Sequence, residues 1–373
     1  MVVKIRTVVF SIVFLLCAAA VAAAQTPSLK GAYKGIFHIG AAINANIIDG
    51  TDAAGQAIVS REFDSISPEN ILKWEIVHPQ PGKYDFTESD KYVAYGVAHQ
   101  MKIIGHVLVW HEQTPKWVFE DANGKPLTRE ALLARMKEHI FTVVGRYKGR
   151  IAGWDVVNEA LNEDGSLRQS PWMKIIGPDF IEKAFEYAHE ADPAAELHYN
   201  EYSIENEAKL QGVLRLIEKL QSEGIHVNVV GVQGHYSMEY PTLDQFDRCL
   251  GEIGKLGVKV AITEFDINIL PRATQEQTAD ISLHAKLRAE LNPYTNGLPK
   301  AKQKELADRY AALFQILLKH RAVVDRVTFW GVGDGASWLN DWPVKGRTNY
   351  PLLFDRNYQP KPAYWAVLKA VSK

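Results

Sequence analysis

Eight short apolar runs of strand character alternate along this chain with segments of helical periodicity. Apolar runs of this kind are typical of strands that are buried on both faces of a parallel sheet. Eight strands close a (β/α)8 barrel, and a chain of 373 residues can form such a barrel as one unit. The predicted strands are 37–42, 65–68, 102–110, 151–158, 196–200, 227–235, 258–264 and 326–331.

A doubly wound open sheet would produce the same alternation of elements. The count of eight favours the barrel, and so do the polar residues that end nearly every predicted strand, because barrel enzymes place their sites at the C-terminal strand ends. We therefore predict an α/β fold with a (β/α)8 TIM barrel in a single domain. Helical spacing of apolar residues is clearest at 129–147, 179–190 and 207–222.

One segment, 268–304, breaks this rhythm. It is long and polar and carries three prolines. Because it follows the seventh predicted strand, it is a βα loop on the face of the barrel where chemistry takes place. Long loops in this position usually shape a substrate cleft.

The first 24 residues have the pattern of a secretory signal peptide. Lys4 and Arg6 form a basic start, an apolar and small-residue run follows over 8–24, and the run ends in three alanines. An uncleaved anchor helix is the competing interpretation, although the run is at the short limit for a membrane span. We predict a signal peptide over 1–24, a catalytic domain over 25–373, a secreted or periplasmic location, and no membrane contact after cleavage.

Charge and cysteine content exclude several classes of partner and cofactor. The formal net charge is -2, so neither nucleic acid nor an anionic membrane is indicated as a partner. Cleavage would leave Cys249 as the single cysteine, which we expect to be buried in a helix over 242–256. The sequence has no His-Glu-x-x-His run and no paired cysteine motif, so it implies no catalytic metal and no cofactor.

Two glutamates, Glu159 and Glu264, each end one of the apolar runs. A carboxylate at the end of a buried strand is costly to bury for stability alone. In an α/β barrel, that end of the strand is where catalytic residues lie. Two carboxylates that meet there are the pair that cleavage of a glycosidic bond requires.

Five motifs extend this pattern, and with them the chain resembles family 10 of the glycoside hydrolases, the endo-β-1,4-xylanases. They are SPENILKW at 67–74, GHVLVWH at 105–111, WDVVNE at 154–159, GVQGH at 231–235 and ITEFD at 262–266. They occur in the order typical of the family, and FWG at 329–331 and SW at 337–338 follow. The resemblance covers essentially the whole chain after the signal peptide. It implies a retaining endo-1,4-β-xylanase that acts on xylan and xylo-oligosaccharides by double displacement.

The resemblance also implies a role for each matched side chain. Glu159 would be the general acid/base, and Glu264 would be the nucleophile that forms the glycosyl-enzyme intermediate. Asp266 would orient the imidazole of His235 beside this nucleophile. Asn158 would bind the sugar 2-hydroxyl, a contact that can strengthen in the transition state. The implied substrate-binding residues are Glu69, Asn70, Lys73, His106, Trp110, Asn158, Gln233, His235, Trp330 and Trp338.

The tryptophans divide into two groups. Trp110, Trp330 and Trp338 would wall the subsite at the cleavage point, because the C–H faces of sugars pack on flat aromatic rings. Core packing is the expectation for the other group, Trp74, Trp117, Trp154 and Trp172. The sequence does not fix a role for Asp341, Trp342 or Arg347.

Two other functions are compatible with parts of the pattern. Another retaining barrel glycosidase, such as an endoglucanase, would share an Asn-Glu pair and a later glutamate, and would differ in the space around C5 of the sugar. A carbohydrate-binding protein that has lost catalysis is the second alternative, although an intact acid and nucleophile pair is unexpected in a binder. We expect a monomer.

Overall fold

The computed structural model of this chain describes residues 27–272 and 278–372. The predicted signal peptide, residues 1–24, lies outside these ranges. The described strands are β1 (His38–Ile43), β2 (Ser65–Pro68), β3 (Lys102–Val109), β4 (Gly153–Asn158), β5 (Glu196–Glu201), β6 (Val229–Val232), β7 (His235–Ser237), β8 (Lys259–Asn268) and β9 (Val324–Phe329).

Eight of these strands form a closed parallel barrel. Neighbours pair in the order β6, β5, β4, β3, β2, β1, β9, β8, and a further pairing between β6 and β8 closes the ring. Each of these pairings is parallel. The short strand β7 is an addition to the barrel and pairs with the last residues of β8. The predicted (β/α)8 barrel is therefore confirmed, and the open-sheet alternative is wrong.

Helices lie between successive strands of the barrel, before its first strand and after its last. They are α1 (Leu29–Ala32), α2 (Ala45–Ile48), α3 (Ala53–Glu62), α4 (Trp74–Val77), α5 (Thr87–Ala98), α6 (Arg129–Tyr147), α7 (Pro171–Ile175), α8 (Phe180–Ala191), α9 (Glu207–Ser222), α10 (Leu243–Lys255), α11 (Lys300–Lys319) and α12 (Pro362–Ala370). Short 3-10 turns occupy Lys116–Val118, Ala289–Leu291, Asp334–Ala336 and Trp338–Asn340.

The predicted helices agree closely with these bounds. Helices α6 and α9 have the predicted ends, and α8 is displaced by one residue. Helix α10 begins where Thr242 and Gln245 form a capping box, in which each side chain accepts a hydrogen bond from the backbone nitrogen of the other. The long loop that was predicted to reach residue 304 ends earlier, because α11 begins at Lys300.

Six predicted strands agree with the structure to within two residues at each end, and the sixth and seventh differ more. The sixth, predicted over 227–235, is divided into β6 and β7 because Gly234 has a φ of +83°, a conformation that interrupts an extended strand. A Cβ atom at this position would also lie 2.7 Å from Ile262 Cγ2. The seventh, predicted to end at Glu264, continues to Asn268 and provides the partner for β7.

The core contains most of the tryptophans that were predicted to pack there. Trp74, Trp154 and Trp172 are buried, whereas Trp117 is half-buried. Cys249 is buried in α10, as expected. Across residues 27–272 and 278–372, none of the helices combines the length and the apolar character that a membrane crossing requires.

Candidate active site

One cavity at the C-terminal ends of the barrel strands brings the predicted site residues together. Its lining includes all twelve residues that were predicted as catalytic or substrate-binding: Glu69, Asn70, Lys73, His106, Trp110, Asn158, Glu159, Gln233, His235, Glu264, Trp330 and Trp338. Asp266 is fully buried behind His235. Three further residues, Gln113, Ala279 and Ile281, complete the described wall.

Glu159 is the first residue after β4 and has an unusual backbone conformation. Its φ is +57°, in the left-handed region that residues other than glycine seldom adopt. The Glu159 backbone nitrogen donates to the Asn200 carbonyl oxygen at 2.9 Å, so the turn is attached to the neighbouring strand β5. Left-handed residues of this kind cluster at functional sites, where the surrounding structure holds them in place.

Three uncharged donors surround the Glu159 carboxyl group. Trp110 Nε1 donates to Oε2 at 2.8 Å, and Gln233 Nε2 donates to Oε1 at 2.8 Å. Asn158 Nδ2 donates to Oε1 at 3.0 Å. Burial and the negative charge of Glu201 raise the pKa of Glu159 to about 7, although the Gln233 and Trp110 hydrogen bonds act in the opposite direction. Glu159 therefore keeps its proton in mildly acidic water, as a general acid must.

Glu264 lies at an irregularity of β8. Pairing of β8 with β6 ends at Ile262, and its register with β9 shifts between Ile262 and Phe265. The Glu264 backbone nitrogen donates to the Gln233 carbonyl oxygen at 2.7 Å, which fixes this part of the strand. The irregularity occurs where β8 leaves the barrel, so the Glu264 side chain faces the cavity although the strand continues beyond it.

The Glu264 carboxylate has a cationic partner. His235 Nε2 lies 3.2 Å from its Oε2, and Asn200 Nδ2 donates to its Oε1 at 2.8 Å. Burial acts to raise the pKa of Glu264, but the hydrogen bond from His235 and the attraction of His106 outweigh it, so this pKa lies below its ordinary value. Glu264 is therefore ionised under conditions in which Glu159 is protonated.

His235 bridges two carboxylates. Its Nδ1 lies 3.1 Å from Asp266 Oδ1, and Trp338 Nε1 donates to Asp266 Oδ2 at 2.7 Å. Burial favours the neutral imidazole, but Asp266 and Glu264 outweigh burial and raise the pKa of His235 to about 10. This imidazolium directs one N–H group at each carboxylate, in the arrangement that was predicted for His235 and Asp266.

His106 is held by a buried carboxylate that lies deeper in the barrel. Asp155 Oδ2 lies 2.9 Å from His106 Nδ1, and Asp155 Oδ1 lies 3.2 Å from His198 Nδ1. Burial acts to raise the pKa of Asp155, but these two imidazoles outweigh it and hold that pKa well below the usual range. With Nδ1 occupied, His106 is left with Nε2 for a contact in the cavity.

Lys73 is buried in the cavity wall and is not part of a surface ion pair. Its Nζ donates to Asn70 Oδ1 at 2.8 Å and to Gln113 Oε1 at 2.6 Å. The same ammonium group lies 5.0 Å from the centre of the Trp110 ring. Burial lowers the pKa of Lys73, although Glu264 and Glu69 oppose this change.

Trp110, Trp330 and Trp338 line the cavity. Trp330 meets the rings of His106 and His235 edge-on, with centroids 5.6 Å and 6.3 Å away. The centre of the Trp338 ring lies 4.7 Å from that of His235 and 4.6 Å from that of Trp342, on which it stacks. Trp342, for which the sequence indicates no role, therefore supports Trp338 by stacking on it.

Several residues at the site were not predicted. Asn200 links the two glutamates through hydrogen bonds. Its Nδ2 donates to Glu264 and, at 2.8 Å, to Oδ1 of Asn158, which in turn donates to Glu159. Asn200 ends the fifth predicted strand, and that position is the signal that could have identified it. No comparable pattern marks Gln113, Ala279 or Ile281. In residues 27–272 and 278–372, no group of three or more His, Cys, Asp and Glu side chains is placed to hold a metal ion.

Among the carboxyl groups that line the cavity, Glu159 has a raised pKa and Glu264 a lowered one, in a setting of aromatic rings and amide donors. A carboxyl group with a raised pKa can donate a proton to a leaving oxygen, and an ionised carboxylate can attack or stabilise the adjacent carbon. This is the chemistry of a barrel glycoside hydrolase.

Comparisons with known proteins agree with this class. The Glycosyl hydrolase family 10 model matches residues 28–370. Endo-1,4-beta-xylanase A of Xylanibacter ruminicola is 45% identical over 360 residues, which cover 96% of this chain and 98% of that protein. Beta-1,4-xylanase of Dictyoglomus thermophilum is 40% identical over 348 residues, covering 92% of this chain and 91% of that protein.

A solved structure is similarly close. A GH10 endoxylanase retrieved from a sugarcane soil metagenome superimposes with a TM-score of 0.89 at 45% identity, and the match covers 92% of this chain and 99% of that one. The chain belongs to glycosyl hydrolase family 10.

Proposed function

We propose that this protein is a retaining endo-1,4-β-xylanase that cleaves internal β-1,4-xylosidic bonds of xylan. The observation that carries the proposal is the pair of glutamates in one cavity, whose pKa values are displaced in opposite directions. Membership of family 10 and the similarity to the xylanases described above support xylan as the substrate.

The proposed mechanism begins with Glu159 protonated and Glu264 ionised. Glu264 attacks the anomeric carbon while Glu159 gives its proton to the departing glycosidic oxygen, so the bond to the leaving sugar breaks as the bond to Glu264 forms. Glu159, now ionised, removes a proton from water, and the oxygen of that water attacks the anomeric carbon and releases Glu264. Two inversions at one carbon give overall retention, and Glu159 regains its proton.

The cavity residues support this sequence in distinct ways. The imidazolium of His235 stabilises Glu264 both before attack and when it leaves as a carboxylate in the second step. Asn158 lies between the glutamates, where its amide reaches the 2-hydroxyl of the bound sugar. We assign the glycone contacts to Lys73, His106 and Gln233, and the contacts to the next sugar to Glu69 and Asn70. The faces of Trp110, Trp330 and Trp338 pack on sugar rings.

Incubation with β-1,4-xylan and, separately, with carboxymethylcellulose tests the activity. Early release of short xylo-oligosaccharides, with little sugar from cellulose, is expected. Equal or greater release from cellulose would move the protein to the endoglucanase alternative, and binding of xylan without product would indicate a carbohydrate-binding protein. Proton NMR of the first product should show the β anomer, whereas an initial α anomer would refute retention.

Two substitutions test the roles of the glutamates. Glu264→Ala should abolish turnover, and substantial activity without an added nucleophile would contradict its role. Glu159→Ala should reduce kcat/KM on xylo-oligosaccharides by roughly 10²–10⁴-fold but have little effect on a dinitrophenyl xylobioside, whose leaving group needs no proton. An equal loss on both substrates would contradict the acid role.

We also propose export through the signal peptide over 1–24 and a monomeric catalytic domain over 25–373. Mass spectrometry of the exported protein should give a chain that begins at Gln25, and an intact N-terminus would favour the anchor interpretation. Fractionation of the expressing cells separates a periplasmic from a secreted location. Sedimentation velocity should give the mass of one chain, and a dimer mass would contradict the monomer.

A further inference from the structure

A second buried carboxylate, Glu201, lies behind the proposed acid/base residue. Glu201 is the last residue of β5 and is fully buried. The pairing of β4 with β5 ends at Asn158 and Asn200, so Glu159 and Glu201 are the residues that follow this last pair. Glu201 is absent from the lining of the described cavity, so any effect it has on the reaction passes through its neighbours.

Four polar groups contact the Glu201 carboxyl group. Its Oε2 accepts hydrogen bonds from the Leu161 backbone nitrogen at 3.1 Å and from the Tyr199 hydroxyl at 2.9 Å. Its Oε1 accepts from the Tyr202 backbone nitrogen at 3.1 Å and lies 3.0 Å from Lys209 Nζ. All four partners are donors, and an ionised carboxylate is the acceptor that satisfies them.

The turn that carries Glu159 is held by contacts on both sides. Glu201 binds the Leu161 nitrogen, and Arg168 Nε donates to the Glu159 carbonyl oxygen at 3.1 Å. Arg168 also donates to the Tyr202 hydroxyl at 2.8 Å, so both anchors meet at Tyr202. A non-glycine residue in the left-handed region persists only when its surroundings enforce it, and these contacts provide that enforcement.

We propose that Glu201 is a positioning residue for the acid/base glutamate: it anchors the turn after Glu159 and places a fixed negative charge that favours the protonated form of the Glu159 carboxyl. This inference rests on the proposed function, because it requires Glu159 to be the acid. Lys209, which is fully buried and lies 3.5 Å from the Tyr202 ring centre, keeps Glu201 in place as an ion-pair partner.

Other charged groups also face Glu159. Glu264 from β8 acts in the same direction as Glu201. Lys73 from the segment after β2 and Arg168 from the loop after β4 are cations that interact with Glu159 and favour its ionised form. After burial itself, Glu201 is the largest contribution that raises the pKa of Glu159, ahead of Glu264. Neutralising Glu201 should therefore make Glu159 lose its proton at lower pH.

The test is the pH dependence of kcat/KM for the Glu201→Gln variant on xylohexaose. Activity falls at alkaline pH as free-enzyme Glu159 loses its proton, so the alkaline limb should move to lower pH by roughly half a unit or more. With dinitrophenyl xylobioside, kcat/KM needs no acid, so it should not show this displacement. A limb that stays at the wild-type position with xylohexaose would overturn the proposal.

Glu205→Gln provides a matched control. Glu205 is also fully buried, lies four residues further along the same segment, and accepts hydrogen bonds from the hydroxyls of Tyr236 and Tyr240. The Glu205→Gln substitution should lower the melting temperature without moving the alkaline limb of the kcat/KM profile. An equal movement of the limb in both variants would show a general effect of losing a buried carboxylate and would also overturn the proposal.

A second variant covers the case in which Glu201→Gln does not fold. The double substitution Glu201→Gln with Lys209→Met replaces the buried ion pair by neutral side chains of similar size, a change that proteins often tolerate. The same acidward movement is expected, and its absence would refute the role of Glu201. The Glu159→Ala comparison on the two substrates separates failure of the acid role of Glu159 from failure of the positioning role of Glu201. If Glu159→Ala shows no dependence on the leaving group, Glu159 is not the acid. If Glu159→Ala behaves as expected but the alkaline limb does not move in the Glu201 variants, the proposal for Glu201 alone is rejected.

Discussion

Replacing Trp110 by phenylalanine should move the pH profile in the direction opposite to that expected for Glu201→Gln. Trp110 Nε1 donates to Glu159 Oε2 at 2.8 Å, and this bond lowers the pKa of Glu159. Phenylalanine keeps most of the apolar wall but removes the donor. Glu159 should then hold its proton more firmly, so the alkaline limb of kcat/KM should move to higher pH.

The size of the movement follows from the strength of the lost bond. A hydrogen bond to a charged acceptor contributes about 1.5–3 kcal/mol, and one to a neutral acceptor about 0.5–1.5 kcal/mol. The difference of about 1–1.5 kcal/mol corresponds to roughly one pKa unit. From a pKa of about 7 for Glu159 in the wild type, the limb should therefore move toward roughly pH 8.

The assay is kcat/KM on xylohexaose as a function of pH at constant ionic strength. The position of the limb reports the pKa even if loss of the indole ring also weakens sugar binding and lowers the whole curve. Trp172→Phe is a suitable control, because Trp172 is buried and its indole nitrogen donates to the Trp110 carbonyl oxygen at 2.9 Å, not to Glu159. A limb that is unmoved or moves to lower pH in Trp110→Phe would refute the reasoning.

Two further predictions follow from other shifted groups. Asp266→Asn removes a carboxylate that holds His235 in its charged form, so the pKa of Glu264 should increase. The acid limb of the kcat/KM profile should therefore move to higher pH, and a limb at the wild-type position would contradict this. Burial lowers the pKa of His78 to about 4. As pH falls from about 6.5 to about 4, His78 therefore binds a proton in the unfolded chain but not in the folded chain, and the free energy of unfolding decreases. Urea unfolding should show that His78→Phe removes up to about 3 kcal/mol of this acid destabilisation, and an equal pH dependence in both proteins would contradict it.

The barrel and most of its site could be predicted from the sequence because both depend on local sequence patterns. A buried parallel strand is a continuous apolar run, and the residue that follows such a strand lies at the C-terminal end of the barrel, as Glu159 does. The division of the sixth strand at Gly234 could not be predicted, because it depends on how that glycine fits against Ile262 of a neighbouring strand. Gln113 was missed for a similar reason, since it reaches Lys73 across 40 residues from a loop without a recognisable motif.

The opposite protonation states of Glu159 and Glu264 arise from the type of neighbour that each strand supplies. On β8, Glu264 and Asp266 are two residues apart, and one imidazole, that of His235, bridges both. That cation holds Glu264 ionised. At the end of β4, Glu159 meets amide and indole donors without formal charge and has Glu201 behind it. The two side chains are chemically identical, so the difference between their proton affinities comes from their neighbours.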